Sequence, residues 1–344
     1  MTFSSNTEIT EAEPTLLPPL GNDRQLKRAR GGRAGILIGR VFSNRGAAFG
    51  VVVLILLFAF AFIGPLISGW SYSELDYTAL RKPPSALHWF GTNNIGQDVF
   101  TQTARGMQKS LLIGLLVALF STAVAGFLGA AAGYFGGRAD RIIMLVVDVL
   151  LVLPSFLIIA ILSPRLKEYG WIVLVVLLAA FSWMVTARVI RSMTLSIKER
   201  EYVRAAQYMG IGSLAIISRH ILPNVASFLI IDATIAVGGA VLGEASLSYF
   251  GFGVQAPDVS LGTLIAANQN AALTSPWLFY FSAAGLVLFA LAANLLGDGL
   301  RDAFDPTSVA GKRMSRSARR RGRAAADSAR TSTPAAAPEI GTAR

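Results

Sequence analysis

The stretch AAFGVVVLILLFAFAFIGPLIS, residues 47–68, contains no charged side chain and decides what kind of fold the chain adopts. The hydrocarbon core of a bilayer is about 30 Å thick and is crossed by about 20 apolar residues in an α-helix. Five further stretches resemble it in length and composition; they are residues 111–134, 142–162, 171–189, roughly 225–243 and 277–297. Because lipid offers the backbone no hydrogen-bonding partner, each stretch should be helical. The sequence therefore predicts an all-α membrane protein with six transmembrane helices.

The composition of the 344 residues argues against most classes of water-soluble protein. Hydrophobic residues make up 53% of the chain and charged residues 15%, whereas soluble domains carry about 25% charged residues. So few charges cannot cover the surface of a soluble enzyme, and the apolar content is too high for a disordered or fibrous chain. Cysteine is absent and there are two histidines, His88 and His220. This excludes a disulfide framework, a thiolate metal site and a histidine metal cluster.

The basic residues indicate the orientation of the chain in the membrane. The net charge is +11, and 25 of the 31 Lys and Arg residues lie in the two tails and around the second–third and fourth–fifth connections. Loops on the cytoplasmic side of a membrane are enriched in Lys and Arg. Both termini are therefore predicted to be cytoplasmic in a multi-pass protein of the plasma membrane. This distribution favours the membrane over a nucleic acid as the reason for the positive charge.

The connection between the fourth and fifth stretches has an amphipathic pattern. Its apolar residues recur at helical spacing; they are Tyr202, Ala205, Ala206 and Met209. Gly210 is predicted to end this helix, and a second short helix, residues 213–220, to lead back to Pro223. The two small alanines would let a partner surface approach closely. The pattern fits a knob for a groove on another protein, and it equally fits a helix lying on membrane lipid.

The same connection resembles a known motif. Glu201-x-x-x-Ala205-Ala206-x-x-x-Gly210, followed by Ile221-Leu222-Pro223, is similar to the "EAA" cytoplasmic loop of ABC importer permeases. The segment His220 to Asn224 resembles the form found in the peptide-importer branch. Further similarities lie, in the expected order, at residues 90–100, 132–137, 244–253 and 294–306. In the first of these, Asn93 and Gln97 replace the usual Asp and Arg. Over residues 35–307 the chain resembles the C-type permease subunit of dipeptide and oligopeptide importers.

The resemblance implies a type I ABC importer permease fold and a role as half of a translocation pore. The implied partners are a homologous second permease subunit, two ATP-binding cassette subunits and an external substrate-binding protein. ATP and Mg would be bound by those partners; this chain would hold no cofactor and would not be an enzyme. The residues implied to couple it to the ATPases are Glu201, Tyr202, Ala205, Ala206, Met209, Gly210, Leu222 and Pro223. Close relatives of this kind import peptides, nickel chelates or glutathione, and these substrates remain alternatives.

Two other classes of protein are less consistent with the residues. A phosphate-binding loop needs a glycine before its Lys-Ser/Thr pair, and Gln108 precedes Lys109-Ser110. The chain is thus not predicted to hydrolyse ATP. A stand-alone secondary transporter would need its own coupling-ion path and would have no use for a docking loop. A membrane-embedded enzyme would need an acid/base or metal constellation, which the sequence lacks.

Three carboxylates lie in or at the ends of apolar stretches. Asp148, Asp232 and Glu244 should point away from lipid, because a carboxylate in hydrocarbon costs several kcal/mol. Each is interpreted either as part of the translocation path or as a hydrogen-bonding or interface residue between helices, and for Asp148 we favour the second. The pairs Gly129/Gly133 and Gly239/Gly243 predict close helix packing. Pro154 predicts a kink in the third span.

These patterns predict five regions. Residues 1–34 and 308–344 form disordered cytoplasmic tails, because their composition is too polar to pack a core. Residues 35–70 form a basic lead-in and the first transmembrane helix, which is too long for a signal peptide. Residues 71–110 form an external loop. Residues 111–307 form the transmembrane permease core, which contains the coupling loop at 199–223.

Overall fold

A computed structural model describes residues 41–304, together with the isolated positions 35 and 39. Its α-helices are α1 (Arg45–Ile67), α2 (Val99–Phe135), α3 (Gly137–Val152), α4 (Ser155–Leu162), α5 (Trp171–Ser182), α6 (Met184–Lys198), α7 (Glu201–Tyr208), α8 (Ser213–Ile216), α9 (Leu222–Tyr249), α10 (Leu261–Asn268) and α11 (Pro276–Phe304). A π turn, Ile217–Ile221, joins α8 to α9. The two predicted tails, 1–34 and 308–344, lie outside the described residues.

Four helical segments are each long and apolar enough to cross a membrane; they are Arg45–Ile67, Val99–Phe135, Ser213–Tyr249 and Pro276–Phe304. Two further spans are each made of two bent helices. The segments Gly137–Val152 and Ser155–Arg165 meet at 80°, and α5 and α6 meet at 43°. Over the described residues the predicted all-helical architecture is confirmed, and the number of spans is six if each bent pair crosses once.

The second span begins earlier than predicted. Helix α2 begins at Val99, inside the range assigned to an external loop, and the Asp98 carboxylate caps it by accepting a hydrogen bond of 2.8 Å from the Thr101 N–H. Its first turns carry polar side chains that the hydropathy pattern placed in water. Thr101, Gln102 and Thr103 are nevertheless buried, because neighbouring segments of the same chain cover them. The predicted loop at 71–110 is therefore too long by three helical turns.

The bends in the third and fourth spans have different origins. Pro154 lacks an N–H and sits at the break between α3 and α4, so the predicted kink is confirmed. The break at Trp183 carries neither proline nor glycine, so no residue pattern predicts it. Helix α6 then continues to Lys198, nine residues past the predicted end of the fourth span.

The C-terminal part of the predicted coupling loop differs in structure from the prediction. Residues 213–220 do not form a separate short helix, since α8, the π turn and α9 run together as one 37-residue span. Pro223 lies in the first turn of α9. A proline ring clashes with the carbonyl four residues earlier in a regular α-helix. The wider π turn, in which the Leu222 N–H reaches the Ile217 carbonyl, accommodates the proline without ending the helix.

Helix α2 is the centre of the packing and contacts α1, α6 and α9. A Cβ at Gly129 would lie 2.5 Å from the Ala187 carbonyl oxygen, and one at Gly133 would lie 2.7 Å from that of Arg191. The close approach predicted for this glycine pair is therefore confirmed, between α2 and α6. The other pair makes no such close approach within the described chain, because a Cβ at Gly239 would meet nothing within 4 Å and one at Gly243 would meet Leu178 at an ordinary 3.6 Å.

Candidate functional site

The loop between α6 and α9 forms a small knob, residues 199–223, that is anchored in the chain's own core. Val203 and Ala206 of α7 are buried against a cluster of isoleucines from α6, α8 and the π turn. The isoleucines of that cluster are Ile190, Ile197, Ile216, Ile217 and Ile221. Burial of these side chains fixes α7 to the adjoining ends of two membrane spans, so the knob is not a free loop.

The knob also carries exposed apolar side chains. Tyr208 is 90% exposed, Met209 72% and Leu214 63%, and Tyr202 and Ala205 are also exposed. Exposed apolar surface of this kind is typical of an interaction site. The helical spacing does not predict a role for Tyr208 and Leu214, because it singles out one stripe of α7. Both are large apolar residues close to Gly210 in a polar loop, and that character could have indicated them.

The predicted alanine pair divides between the two sides. Ala205 is exposed, whereas Ala206 is buried in the isoleucine cluster. Consecutive residues of a helix point about 100° apart, so the boundary between the buried and the exposed side of α7 falls between them. The prediction that both alanines admit a partner surface is therefore wrong for Ala206, whose small size instead permits close packing within this chain.

Gly210 ends α7 as predicted. Its φ is +74°, and the Ile211 N–H donates to the Ala206 carbonyl across the turn. A left-handed glycine with such a bond is a common helix C-terminus. A Cβ at this position would meet nothing within 4 Å. The glycine is therefore required by the backbone conformation and not by crowding.

The remaining predicted coupling residues lie in two places. Glu201 is exposed in the first turn of α7, where the helix dipole favours a carboxylate. Close by, the Arg204 guanidinium pairs with Glu199, and this contact raises the pKa of Arg204. Leu222 and Pro223 lie in the first turn of α9 and line an apolar groove of about 550 Å³ between α2 and α9. The structure thus gathers residues 201–210 on α7 and its C-terminal turn, and it places 222–223 at the start of the next membrane span.

The intramembrane carboxylates have different surroundings. Glu244 is fully buried and accepts hydrogen bonds from three serine hydroxyls, Ser110 at 3.0 Å and Ser248 and Ser260 at 2.6 Å. It therefore joins α2, α9 and α10. Asp232 is part-buried and accepts a hydrogen bond of 2.9 Å from the Thr186 hydroxyl. Asp148 forms an ion pair with Arg188.

The connection before α2 is folded around His88. The buried imidazole lies 2.9 Å from an Asp98 oxygen and 3.4 Å from an Asp76 oxygen. The pKa of Asp76 lies below its ordinary value because the Thr78 hydroxyl and N–H donate to the carboxylate, and the neighbouring His88 adds to this effect. Asn93 and Gln97, which replace the usual charges, bond to each other at 2.9 Å.

Comparison with known proteins identifies the family. The binding-protein-dependent transport system inner membrane component family matches residues 125–308. This chain belongs to that family. The N-terminal TM domain of oligopeptide transport permease C matches residues 35–84. The permease is 53% identical over 277 residues to the oligopeptide transport system permease protein OppC of Mycobacterium tuberculosis, covering 80% of this chain and 95% of the relative.

A more distant relative has the same name. The OppC protein of Bacillus subtilis is 34% identical over 267 residues, which is 78% of this chain and 87% of that protein. The chain is accordingly a multi-pass inner-membrane permease and a non-catalytic subunit of an ABC importer. Membership implies ATPase and binding-protein partners, and ATP is bound by the ATPases. Within residues 41–304 no group of three metal-ligating side chains is placed to hold a metal ion.

Proposed function

We propose that this permease is the C-type subunit of an ATP-driven oligopeptide importer. The observation that carries the proposal is the agreement between the match at residues 35–84 and the names of the relatives. Its N-terminal part resembles a domain described for oligopeptide permeases, and its relatives at 53% and 34% identity are both oligopeptide permeases. Peptides delivered by an external binding protein pass between this chain and a homologous second permease.

The exposed side of the knob is the docking surface for one of two ATP-binding cassette subunits. Tyr208, Met209 and Leu214 offer exposed apolar surface on the same knob as Ala205, and covering that surface with a partner protein is energetically favourable. Membrane lipid is the alternative contact. The buried side of α7 then transmits movement of the ATPases to the membrane spans, because Val203 and Ala206 are packed on α6 and on the start of the Ser213–Tyr249 span. Closure of the ATPases on ATP displaces the knob together with these two spans.

The orientation follows from the positive charges. Residues 1–46, 135–141, 190–224 and 298–344 lie in the cytoplasm, and both termini are on that side. This places the knob where cytoplasmic ATPases reach it. It also places the His88 connection and α10 on the outer side, where a binding protein docks.

The test is reconstitution of the whole complex. The permease is co-purified with its partners, the partners are identified, and uptake of labelled oligopeptides into proteoliposomes is measured with and without ATP. We expect a second permease, two ATPases and ATP-dependent peptide uptake. Uptake of glutathione or a nickel chelate in place of peptides would refute the substrate class. Uptake by this chain without any ATPase would refute the importer mechanism and favour a secondary transporter.

A further inference from the structure

An ion pair within the membrane-spanning part of the chain is open on one side. Arg188 of α6 pairs with Asp148 of α3, yet the two side chains remain 50% and 59% exposed. Ionised side chains in transmembrane helices face protein or a water-filled cavity, because exposure to hydrocarbon is costly. The face of α3 and α6 that carries this pair is therefore not a lipid-facing surface.

The pair lies inside the membrane, in its cytoplasmic half. With residues 141 and 190 as the cytoplasmic boundary, Asp148 lies about 10 Å and Arg188 about 3 Å inside it at 1.5 Å per residue. The break after Val152 lies about 16 Å inside, close to the middle of a core of about 30 Å.

The backbone is also broken beside the pair. Helix α3 ends at Val152, one turn after Asp148, and the chain turns by 80°. In a continuous helix the carbonyl of Leu150 would accept a hydrogen bond from the N–H of residue 154. Pro154 has no N–H, so the Leu150 carbonyl is left without its usual helical partner.

Free backbone groups at membrane depth are tolerated only where they are buried in protein or line a water-filled cavity. Val152, at the break, is 83% exposed, so this chain does not cover it. The neighbouring span is also bent, between Ser182 and Met184. Bent or broken helices at mid-membrane commonly surround the substrate site of a transporter.

We propose that this face lines the translocation path and binds the charged ends of a peptide in transit. Arg188 presents a guanidinium that bonds the terminal carboxylate. Asp148 and the open carbonyl of Leu150 accept hydrogen bonds from the terminal ammonium and from peptide N–H groups. The inference rests on the proposed peptide substrate for its ligand, but its claim that water reaches this face does not.

The first test is accessibility in the assembled complex. The chain has no cysteine, so single cysteines are introduced as Val152→Cys and, as a matched control, Ile55→Cys. Ile55 is 61% exposed on α1 and lies about 15 Å from the start of that helix. A charged, membrane-impermeant thiol reagent is applied with and without ATP. We expect position 152 to react at least about tenfold faster in one of the two states, because only a hydrated thiol ionises readily. Equal inertness of both positions in both states would overturn the proposal.

The second test separates a substrate site from a purely structural ion pair. Arg188→Gln is expected to lower peptide uptake per ATP hydrolysed by about tenfold, the value of one charge-assisted hydrogen bond, and Arg188→Lys to restore most of it. The double variant Asp148→Arg/Arg188→Asp restores an ion pair with the two charges exchanged. The neighbouring backbone carbonyl keeps its direction, so the site no longer matches the ends of the peptide. We expect it to assemble normally and still transport poorly. Full recovery of uptake would show that the pair only holds the helices together.

The outcomes also distinguish this inference from the proposed function. If the wild-type complex imports no peptide, the proposed substrate is wrong, and reactivity at position 152 still reports whether the face is hydrated. If the wild-type complex imports peptide while position 152 stays inert, the path lies elsewhere.

Discussion

The same substitution at two adjacent residues separates folding of the knob from its docking. Ala205 and Ala206 are consecutive in α7, but one is exposed and the other is buried among isoleucines. Replacement by glutamate adds the same volume and charge at each position. Ala206→Glu buries an unpaired carboxylate in an apolar cluster, which should cost about 3–5 kcal/mol of folding free energy. Ala205→Glu leaves the charge in water and should change stability by about 0.5 kcal/mol or less.

The two variants should fail in different assays. Ala206→Glu is expected to lower the thermal midpoint of the purified chain and to reduce its amount in the membrane. Ala205→Glu should keep a normal midpoint, but a carboxylate desolvated against an ATPase at a cost of about 3 kcal/mol would weaken that contact about a hundredfold. Its pull-down of the ATPases and its peptide uptake should therefore be lost.

The measurements are thermal unfolding of each variant in detergent, ATPase pull-down, and ATP-dependent uptake by the reconstituted complex. Wild-type uptake by the Ala205→Glu variant would show that the exposed side of the knob does not dock an ATPase. Wild-type stability of the Ala206→Glu variant would contradict the buried placement of that residue.

Three further changes test other parts of the structure. Gly133→Ala should lower the thermal midpoint, because its Cβ would lie 2.7 Å from a backbone oxygen, and Gly239→Ala should not, because its Cβ would meet nothing within 4 Å. Equal shifts of the midpoint in both variants would contradict the close packing of α2 on α6. A cysteine introduced at Ser73 should react with a membrane-impermeant thiol reagent added outside the cell, and one introduced at Ser196 should not. Labelling of position 196 from outside would show that the proposed orientation is wrong. The pKa of Asp76 is lowered in the folded protein, so the ionised carboxylate stabilises the fold above the ordinary pKa of 3.8, and this contribution is lost as the pH falls through the lowered pKa. The thermal midpoint of the Asp76→Asn variant should therefore depend less on pH in this acidic range than that of the wild type.

The membrane spans were predictable because their signal is collective. Twenty apolar residues in a row leave few alternatives, and the first span falls within two residues of its predicted limits. The start of α2 was not predictable in this way. Hydropathy assigns Thr101 and Gln102 to water, and only contacts distant in sequence bury them. The bend at Trp183 likewise depends on tertiary packing, since no helix-breaking residue marks it.

The knob was predictable as an element but not in its orientation. The glycine at 210 and the apolar spacing located the helix, since a left-handed helix end requires such a residue. Which stripe faces inward depends on isoleucines from three other elements. The pattern Tyr202, Ala205, Ala206, Met209 therefore gave a plausible face that the fold divides. The coupling roles of these residues remain a prediction, as does the boundary of each region.

The π turn at Ile217–Ile221 sets the rotational phase between the knob and the membrane. One residue more than a regular α-helix needs is accommodated in that turn. If the turn tightened into α-helical form, the helix on one side of it would rotate by about 100° relative to the other and shift by about 1.5 Å along the axis. The outward direction of the knob is thus tied to a single extra residue. A change of one residue in chain length would be absorbed at this turn, but in the middle of α9 it would redirect every later side chain.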